Sequence, residues 1–123
     1  MTIQEAIQRT DELKPNAYTQ DEKILWLSKL EWMIVRNIIR CHNGDQMDSF
    51  SGYNGDTDLD TVLIAPEPFD AMYLRWLEAQ IDLANAEYGR YNASIALFTT
   101  EYNAYNEFYT SENMPKSKGA FVF

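Results

Sequence analysis

Three aspartates and a glutamate in this chain have the spacing of ligands in a calcium-binding loop. In DTDLDTVLIAPE, residues 56–67, carboxylates stand at loop positions 1, 3, 5 and 12, which are Asp56, Asp58, Asp60 and Glu67. Calcium takes oxygen ligands from those positions, and the loop turns sharply at a glycine in position 6. The spacing therefore raises calcium binding as one function to test.

The other residues of this stretch argue against a calcium loop. Position 6 is Thr61, whose β-branched side chain resists the required backbone conformation, and position 11 is Pro66. The preceding SFSGYNG, residues 49–55, cannot form the incoming helix. The pattern favours a solvated acidic loop that leads into a helix N-terminus. We expect no metal ion and no other cofactor.

Residues for nucleophilic or soft-metal chemistry are scarce. The chain has one cysteine and one histidine, Cys41 and His42, and adjacent residues of a helix do not face each other. With no second Cys or His, neither a zinc site nor a Cys–His dyad can be assembled. We therefore expect that the protein is not an enzyme, although a pair of carboxylates brought together by folding would leave no sequence signal.

The elements that would position these residues are mostly helical. TIQE at 2–5 and TQDE at 19–22 are capping boxes, and they predict helices that begin near residues 3 and 20. Pro15 ends the first helix. The second, predicted over 20–42, carries two apolar stripes, so it is either central in the bundle or packed against another chain.

A long loop separates this pair of helices from a second pair. Within the loop, 43–65, only TVLIA at 61–65 could form a short strand. The third helix is predicted from Pro66 and the fourth over about 93–112, with an interruption at Gly89 and Asn92. The fold class is thus all-α, a bundle of about four helices in one domain, 1–112, followed by a tail, 113–123.

The charge of the chain is strongly negative and unevenly placed. The net charge is -9, and residues 43–65 contain five aspartates and no lysine or arginine; these are Asp45, Asp48, Asp56, Asp58 and Asp60. An acidic domain should not hold nucleic acid through its phosphates. No apolar run is long enough to cross a membrane, and the first residues do not form a signal peptide, so a cytoplasmic location is expected.

Aromatic residues make up 14% of the chain, which is generous for a small domain. The aromatic stripe of the last helix is more typical of core than of a binding site. Tyr and Trp are nevertheless favoured at wet protein interfaces, so some aromatic side chains are candidates for contact with a partner or another subunit. These candidates are Trp26, Trp32, Trp76, Tyr105 and Tyr109.

Two segments resemble small proteins encoded among the structural genes of tailed bacteriophages and prophages. They are the Pro-Glu-Pro-aromatic-Asp helix start at 66–70 and AQIDLANAEYGRYN at 79–92, and the capped first helix and LSKL at 27–30 also fit. The chain is similar to head–tail connector (adaptor, head-completion) proteins. The resemblance covers most of the chain, the tail least, and includes no catalytic motif.

The resemblance implies a helical subunit that forms a ring under the portal protein and joins it to stopper or tail-completion proteins. Double-stranded DNA would pass through without specific binding, and the subunit would move from the host cytoplasm to the virion neck. On this hypothesis the acidic loop faces the lumen or the portal, where it repels DNA. The tail, with two lysines and an apolar end, would be either a docking arm or a disordered terminus. The alternative function is an acidic DNA mimic or another small inhibitory protein of a prophage.

Overall fold

The computed structural model describes residues 1–39 and 50–113 of the chain. They form four α-helices and a π-helical segment: α1 (Ile3–Leu13), α2 (Gln20–Ile34), the π segment (Val35–Ile39), α3 (Ala71–Ala84) and α4 (Tyr88–Glu112). The predicted all-α class is confirmed. In the part described, residues 61–65 make one isolated antiparallel bridge, between Val62 and Thr2, rather than a strand.

Both capping boxes are present where the sequence predicts them. The Thr2 hydroxyl accepts a hydrogen bond from the Glu5 amide at 3.1 Å, and the Glu5 carboxylate accepts one from the Thr2 amide at 2.9 Å. Thr19 and Glu22 make the same reciprocal pair at the start of α2, both at 3.1 Å. Each box satisfies amides that have no partner inside the helix, which fixes where the two helices begin.

The second helix does not stay α-helical to the end of its predicted range. It changes to π geometry over Val35–Ile39, and residues 40–42 lie outside the described part of the chain. Ile38 and Ile39 are buried in this segment together with Val35. The second apolar stripe, which runs from Leu25 through Val35 to Ile39, is therefore only half buried. Val35 and Ile39 are buried, whereas Leu25 is 56% exposed.

The third helix starts later, and the break before the fourth comes earlier, than the sequence predicts. α3 begins at Ala71, and the chain reverses at residues 85–87, where Ala86 has a φ of 59°. The Glu87 amide donates to the Asp82 carbonyl at 2.8 Å and the Ala86 amide to the Leu83 carbonyl at 3.0 Å, which is a Schellman arrangement. The predicted break at Gly89 and Asn92 is wrong because this motif has already ended α3.

α3 is the central element of the bundle. It contacts α1, α2 and α4, and the π segment closes onto α4. Its buried side chains include Met72, Tyr73, Leu77 and Ile81. The first three belong to one continuous core with Ile3 and other apolar residues of α1 and α2.

The loop from residue 50 to residue 70 is fastened to the N-terminal helix by backbone hydrogen bonds. The Ile3 amide donates to Thr61 and the Gln4 amide to Leu59, both at 3.0 Å, and Leu63 donates back to Met1 at 2.9 Å. Leu63 and Ala65 are buried under this contact. Among the described helices, none is long and apolar enough for a membrane span.

Candidate functional site

The aspartates with calcium-loop spacing are exposed and shape a turn. Asp58 accepts a hydrogen bond from the Asp60 amide at 2.9 Å, and its carbonyl accepts one from Thr61 at 3.0 Å. The Asp56 amide donates to the Asn54 side chain at 2.8 Å. These bonds build consecutive Asx and β-turns, in which a short polar side chain replaces a backbone partner.

Glu67 has different neighbours from the three aspartates. It lies at a polar depression that Glu5, Arg9 and Asp70 also line. Across residues 1–39 and 50–113, no group of three or more Asp, Glu, His or Cys side chains is arranged to hold a metal ion. Two members of the predicted acidic loop, Asp45 and Asp48, and the Cys41–His42 pair lie outside the described residues.

A fourth aspartate joins the acidic loop in space. A Cβ on Gly55 would lie 3.0 Å from both carboxylate oxygens of Asp21, so the side chain of Asp21 touches the loop backbone beside Asp56. We call Asp21, Asp56, Asp58 and Asp60 the acidic face, since all four are exposed. The sequence gives no sign that Asp21, at the start of α2, belongs to this surface.

Two of the five aromatic residues predicted to face partners belong to the core of the chain. Trp76 is 8% exposed and packs on Phe98 with ring centroids 5.0 Å apart, while its indole nitrogen donates to the Trp26 carbonyl at 2.7 Å. Tyr105 is 2% exposed and packs on Phe69 at 5.7 Å. An interface role for Trp76 and Tyr105 does not match this placement, because both rings are already enclosed by α3, α4 and the loop.

The other three aromatic candidates are half-buried. Trp26 stacks edge-on against Tyr18 at 5.6 Å, and Tyr109 lies 6.0 Å from Tyr105. Trp32 lies between Phe50, at 4.9 Å, and the guanidinium carbon of Arg36, at 5.3 Å. All three rings are thus packed against neighbouring side chains and remain partly exposed.

A buried carboxylate, Glu31, joins three parts of the chain. Its Oε1 accepts a hydrogen bond from the Tyr73 hydroxyl at 2.6 Å. Its Oε2 accepts from the Tyr53 hydroxyl at 2.8 Å and from the Ile64 amide at 2.9 Å. Tyr73 also accepts from the Ala65 amide at 2.8 Å. α2, α3 and both ends of the 50–65 segment are thus tied to one side chain, which we call the Glu31 hub.

Burial sets the electrostatics of the Glu31 hub. Desolvation raises the pKa of Glu31, and the hydrogen bonds from Tyr73, Ile64 and Tyr53 oppose that rise without cancelling it. Desolvation and the adjacent carboxylate raise the pKa values of Tyr53 and Tyr73 well above the ordinary tyrosine value. Both phenols therefore remain neutral donors, which suits a structural fastening and not proton transfer near neutral pH.

The sequence contains one indication of this hub. Glu31 falls at a position of the apolar stripe of α2 that Leu30 would equally fill, and a charged residue inside an apolar stripe suggests a buried polar contact. Neither tyrosine partner can be identified in the same way, because Tyr53 lies in a loop and Tyr73 lies 42 positions after Glu31.

A second buried carboxylate, Asp82, fixes the far end of α3. Asp82 is fully buried, and it accepts hydrogen bonds from the Lys14 ammonium at 2.6 Å and the Ser94 hydroxyl at 3.0 Å. Lys23 is also buried and contacts Asp11 at 2.8 Å. Both ion pairs join separate parts of the chain, which is a structural role; Asp11 also lines an open depression of about 370 Å³ between α1 and the start of α2.

The most open apolar surface is on α4. Of its 25 residues only Phe98 and Tyr105 are buried. On the side opposite those two rings, four exposed residues follow each other at helical spacing: Ala93, Leu97, Thr100 and Ala104. Leu97 is 52% exposed, and none of the four is charged. We call this surface the outer face of α4.

A groove lies at the C-terminal end of α4. Ile39, Ile64, Pro66, Tyr105, Phe108 and Tyr109 line it with Glu112 and Asn113, and its volume is about 350 Å³. Phe108 packs on Phe69 at 4.8 Å and is still 40% exposed. Burial raises the pKa of Tyr105 to about 12, so its hydroxyl is neutral. The groove is therefore mostly apolar, with one carboxylate, that of Glu112, in its lining.

Residues 1–39 and 50–113 present surfaces that could contact another protein, and among them no cluster of metal-binding side chains is found. The acidic face, the outer face of α4 and the groove are exposed, whereas the two buried carboxylates are fully engaged in holding helices together. No protein-family model, no curated protein and no solved structure matches this chain.

Proposed function

We propose that this chain is a structural subunit that assembles with copies of itself, of the head–tail connector type found in tailed bacteriophages. In that role it forms a ring beneath the portal protein, joins the capsid to stopper or tail-completion proteins, and surrounds the path of the DNA. The observation that carries the proposal is the outer face of α4, an uncharged helix surface that residues 1–39 and 50–113 leave exposed.

The size and composition of that surface fit a protein interface. From Ala93 to Ala104, at about 1.5 Å per residue, the outer face extends about 17 Å along the helix. None of the four residues of the outer face is charged, and the one carboxylate between Ala93 and Ala104, that of Glu101, pairs with Arg75 of α3 at 3.9 Å. Depletion of charge at the centre of a patch distinguishes interfaces from ordinary surface, and small residues allow a second helix to approach closely.

A ring also needs a second, different surface on each subunit. Its contacts are heterologous, so one patch of a subunit meets another patch of the next. Large exposed apolar residues occur on other elements too, namely Leu13 on α1, Leu25 on α2 and Val62 in the loop, which are between 56% and 68% exposed. These residues are candidates for the surface that receives α4 of the neighbour.

The acidic face suits the wall of a DNA channel. A wall that repels phosphate lets DNA slide, whereas a basic wall would retain it. Asp21, Asp56, Asp58 and Asp60 are exposed together on one side of the molecule. In the proposed ring this face is directed to the lumen or to the portal.

Assembly is tested by native mass spectrometry of the full chain, alone and after co-expression with the portal protein of the same virus. Rings are expected for the native chain, and Leu97→Lys should abolish them while circular dichroism shows an intact helical fold. Gln8→Lys, at an exposed position of α1, is the control for added charge. A chain that remains a monomer or dimer under both conditions would contradict the connector role and favour the DNA-mimic alternative.

The channel role has its own test in assembled virions. Asp56, Asp58 and Asp60 are changed together to Asn, which keeps the side-chain oxygen that accepts from the Asp60 amide. Retention or ejection of the genome should be impaired. Glu12, Glu87 and Glu107, changed together to Gln, give the same change in charge away from the acidic face. Normal infectivity of the aspartate variant would show that this face does not act on DNA.

A further inference from the structure

We propose that the groove at the end of α4 is the docking site of the chain's own tail, and that it takes the aromatic residues Phe121 and Phe123. The tail, residues 114–123, lies outside the described residues. Its sequence is MPKSKGAFVF, in which three of the four residues 120–123 are large and apolar: Phe121, Val122 and Phe123.

The position of the groove favours this occupant. Asn113, the last described residue, and Glu112 themselves line the groove. Phe121 is eight positions after Asn113, and an extended chain of that length reaches about 28 Å. Pro115 disfavours continuation of the helix, which allows the chain to turn back toward Phe108 and Tyr109. The aromatic end can therefore reach the groove without any change in α4.

The chemistry of the groove matches the tail. Its lining is aliphatic and aromatic, so the gain from docking is the burial of the phenyl rings, at about 25 cal/mol per Å². Glu112 is one of the residues that line the groove, and the tail carries Lys116 and Lys118 in a chain whose net charge is -9. Charge complementarity thus adds to apolar burial.

Residues 40–49, which follow Ile39 at the other side of the groove, are a poorer occupant. Their sequence, RCHNGDQMDS, contains no aromatic residue, and Asp45 and Asp48 would bring further negative charge toward Glu112. A second copy of the tail is also disfavoured, since a tail attached at the groove has an effective concentration on the order of mM. Docking within one chain therefore prevails in dilute solution.

The test is methyl NMR of the full chain with Ile39 and Ile64 labelled. In Phe121→Ser/Phe123→Ser, both methyl signals should shift from their native positions, and a synthetic peptide of residues 114–123 should return them in a saturable manner. Ser117→Ala is the matched control in the tail and should shift neither signal. Lys116→Ala/Lys118→Ala should weaken docking, so the signals move part of the way and become insensitive to salt.

Two results would overturn tail docking. Unchanged Ile39 and Ile64 signals in the double phenylalanine variant would show that the groove is empty of the tail. Native signals that move with protein concentration would show that the tail docks on another copy. Amide dispersion shows whether the double phenylalanine variant is folded. If it is not, the peptide titration is performed on Lys116→Ala/Lys118→Ala, and that titration decides whether the tail binds the groove. Tail docking does not depend on ring assembly, and a failure of either leaves the other standing.

Discussion

The hydroxyl of Tyr73 donates a 2.6 Å hydrogen bond to Oε1 of Glu31, which lies 42 positions earlier in the chain. This bond joins α3 to α2 inside the core, and the same hydroxyl holds the Ala65 amide at 2.8 Å. The two helices and the loop that carries the acidic face therefore depend on one buried pair. The first two predictions below concern this pair, and the other two concern the backbone at Gly52 and at the α3–α4 turn.

Removal of the Tyr73 hydroxyl should destabilise the protein markedly. Tyr73→Phe leaves a buried carboxylate short of one donor and the Ala65 amide without its acceptor, so we expect a loss of about 2–3 kcal/mol in the free energy of unfolding. Urea denaturation provides the measurement. Tyr53→Phe should cost less, because Tyr53 is half exposed, and Tyr88→Phe, at a 62% exposed position, should be neutral. Equal effects of all three would deny the hub its structural role.

The stability that Glu31 contributes should fall as the pH rises. Burial raises its folded-state pKa above the ordinary glutamate value of 4.5, so over a range of pH above 4.5 the folded protein keeps a proton that the unfolded chain has released. The contribution is complete below 4.5 and is lost as the pH passes through the folded-state value. Glu31→Gln cannot titrate. The free energy of unfolding of the native chain, relative to this variant, should therefore decrease with pH in urea melts from acid to neutral conditions; a flat or increasing difference would contradict the assignment.

Gly52 should not tolerate a side chain. Its φ is 89°, and an added Cβ would lie 3.0 Å from both the Ser28 hydroxyl and the Trp32 indole nitrogen. Gly52→Ala combines backbone strain with this crowding and should cost about 1–3 kcal/mol. Thermal unfolding measures the loss. Gly55→Ala is the control, because there only the exposed carboxylate of Asp21 has to move; a comparable loss at both glycines would rule out the strain argument.

Two substitutions near the α3–α4 turn, Ala86→Gly and Gly89→Ala, should each stabilise the protein. Ala86 has a φ of 59°, which favours glycine, whereas Gly89 lies inside α4 with nothing within 4 Å of an added Cβ. We expect Ala86→Gly and Gly89→Ala each to raise the free energy of unfolding by about 0.5–1 kcal/mol. Calorimetry of both variants checks the sign. Ala104→Gly, at an exposed position in the interior of α4, should lower stability by about 1 kcal/mol and is the control for the method.

Local signals in the sequence determined the start of α1 and α2, the all-α class and the acidic character of the loop. Thr2 with Glu5 and Thr19 with Glu22 are each three residues apart, so neighbouring side chains settle those helix starts without help from the rest of the chain. The same local reasoning failed at Gly89, because the chain turns at Ala86 through backbone bonds to Asp82 and Leu83 and not through a glycine.

Contacts between distant residues were decided only by the tertiary structure. Whether Trp76 and Tyr105 face a partner or the core depends on how α3 packs against α4, and the partners of Glu31 are chosen by the path of a loop. The placement of Asp21 beside Asp56 is of the same kind. Sequence periodicity reports which residues share a face of one helix, but the free energy of packing decides what that face meets, and packing joins positions that no spacing rule connects.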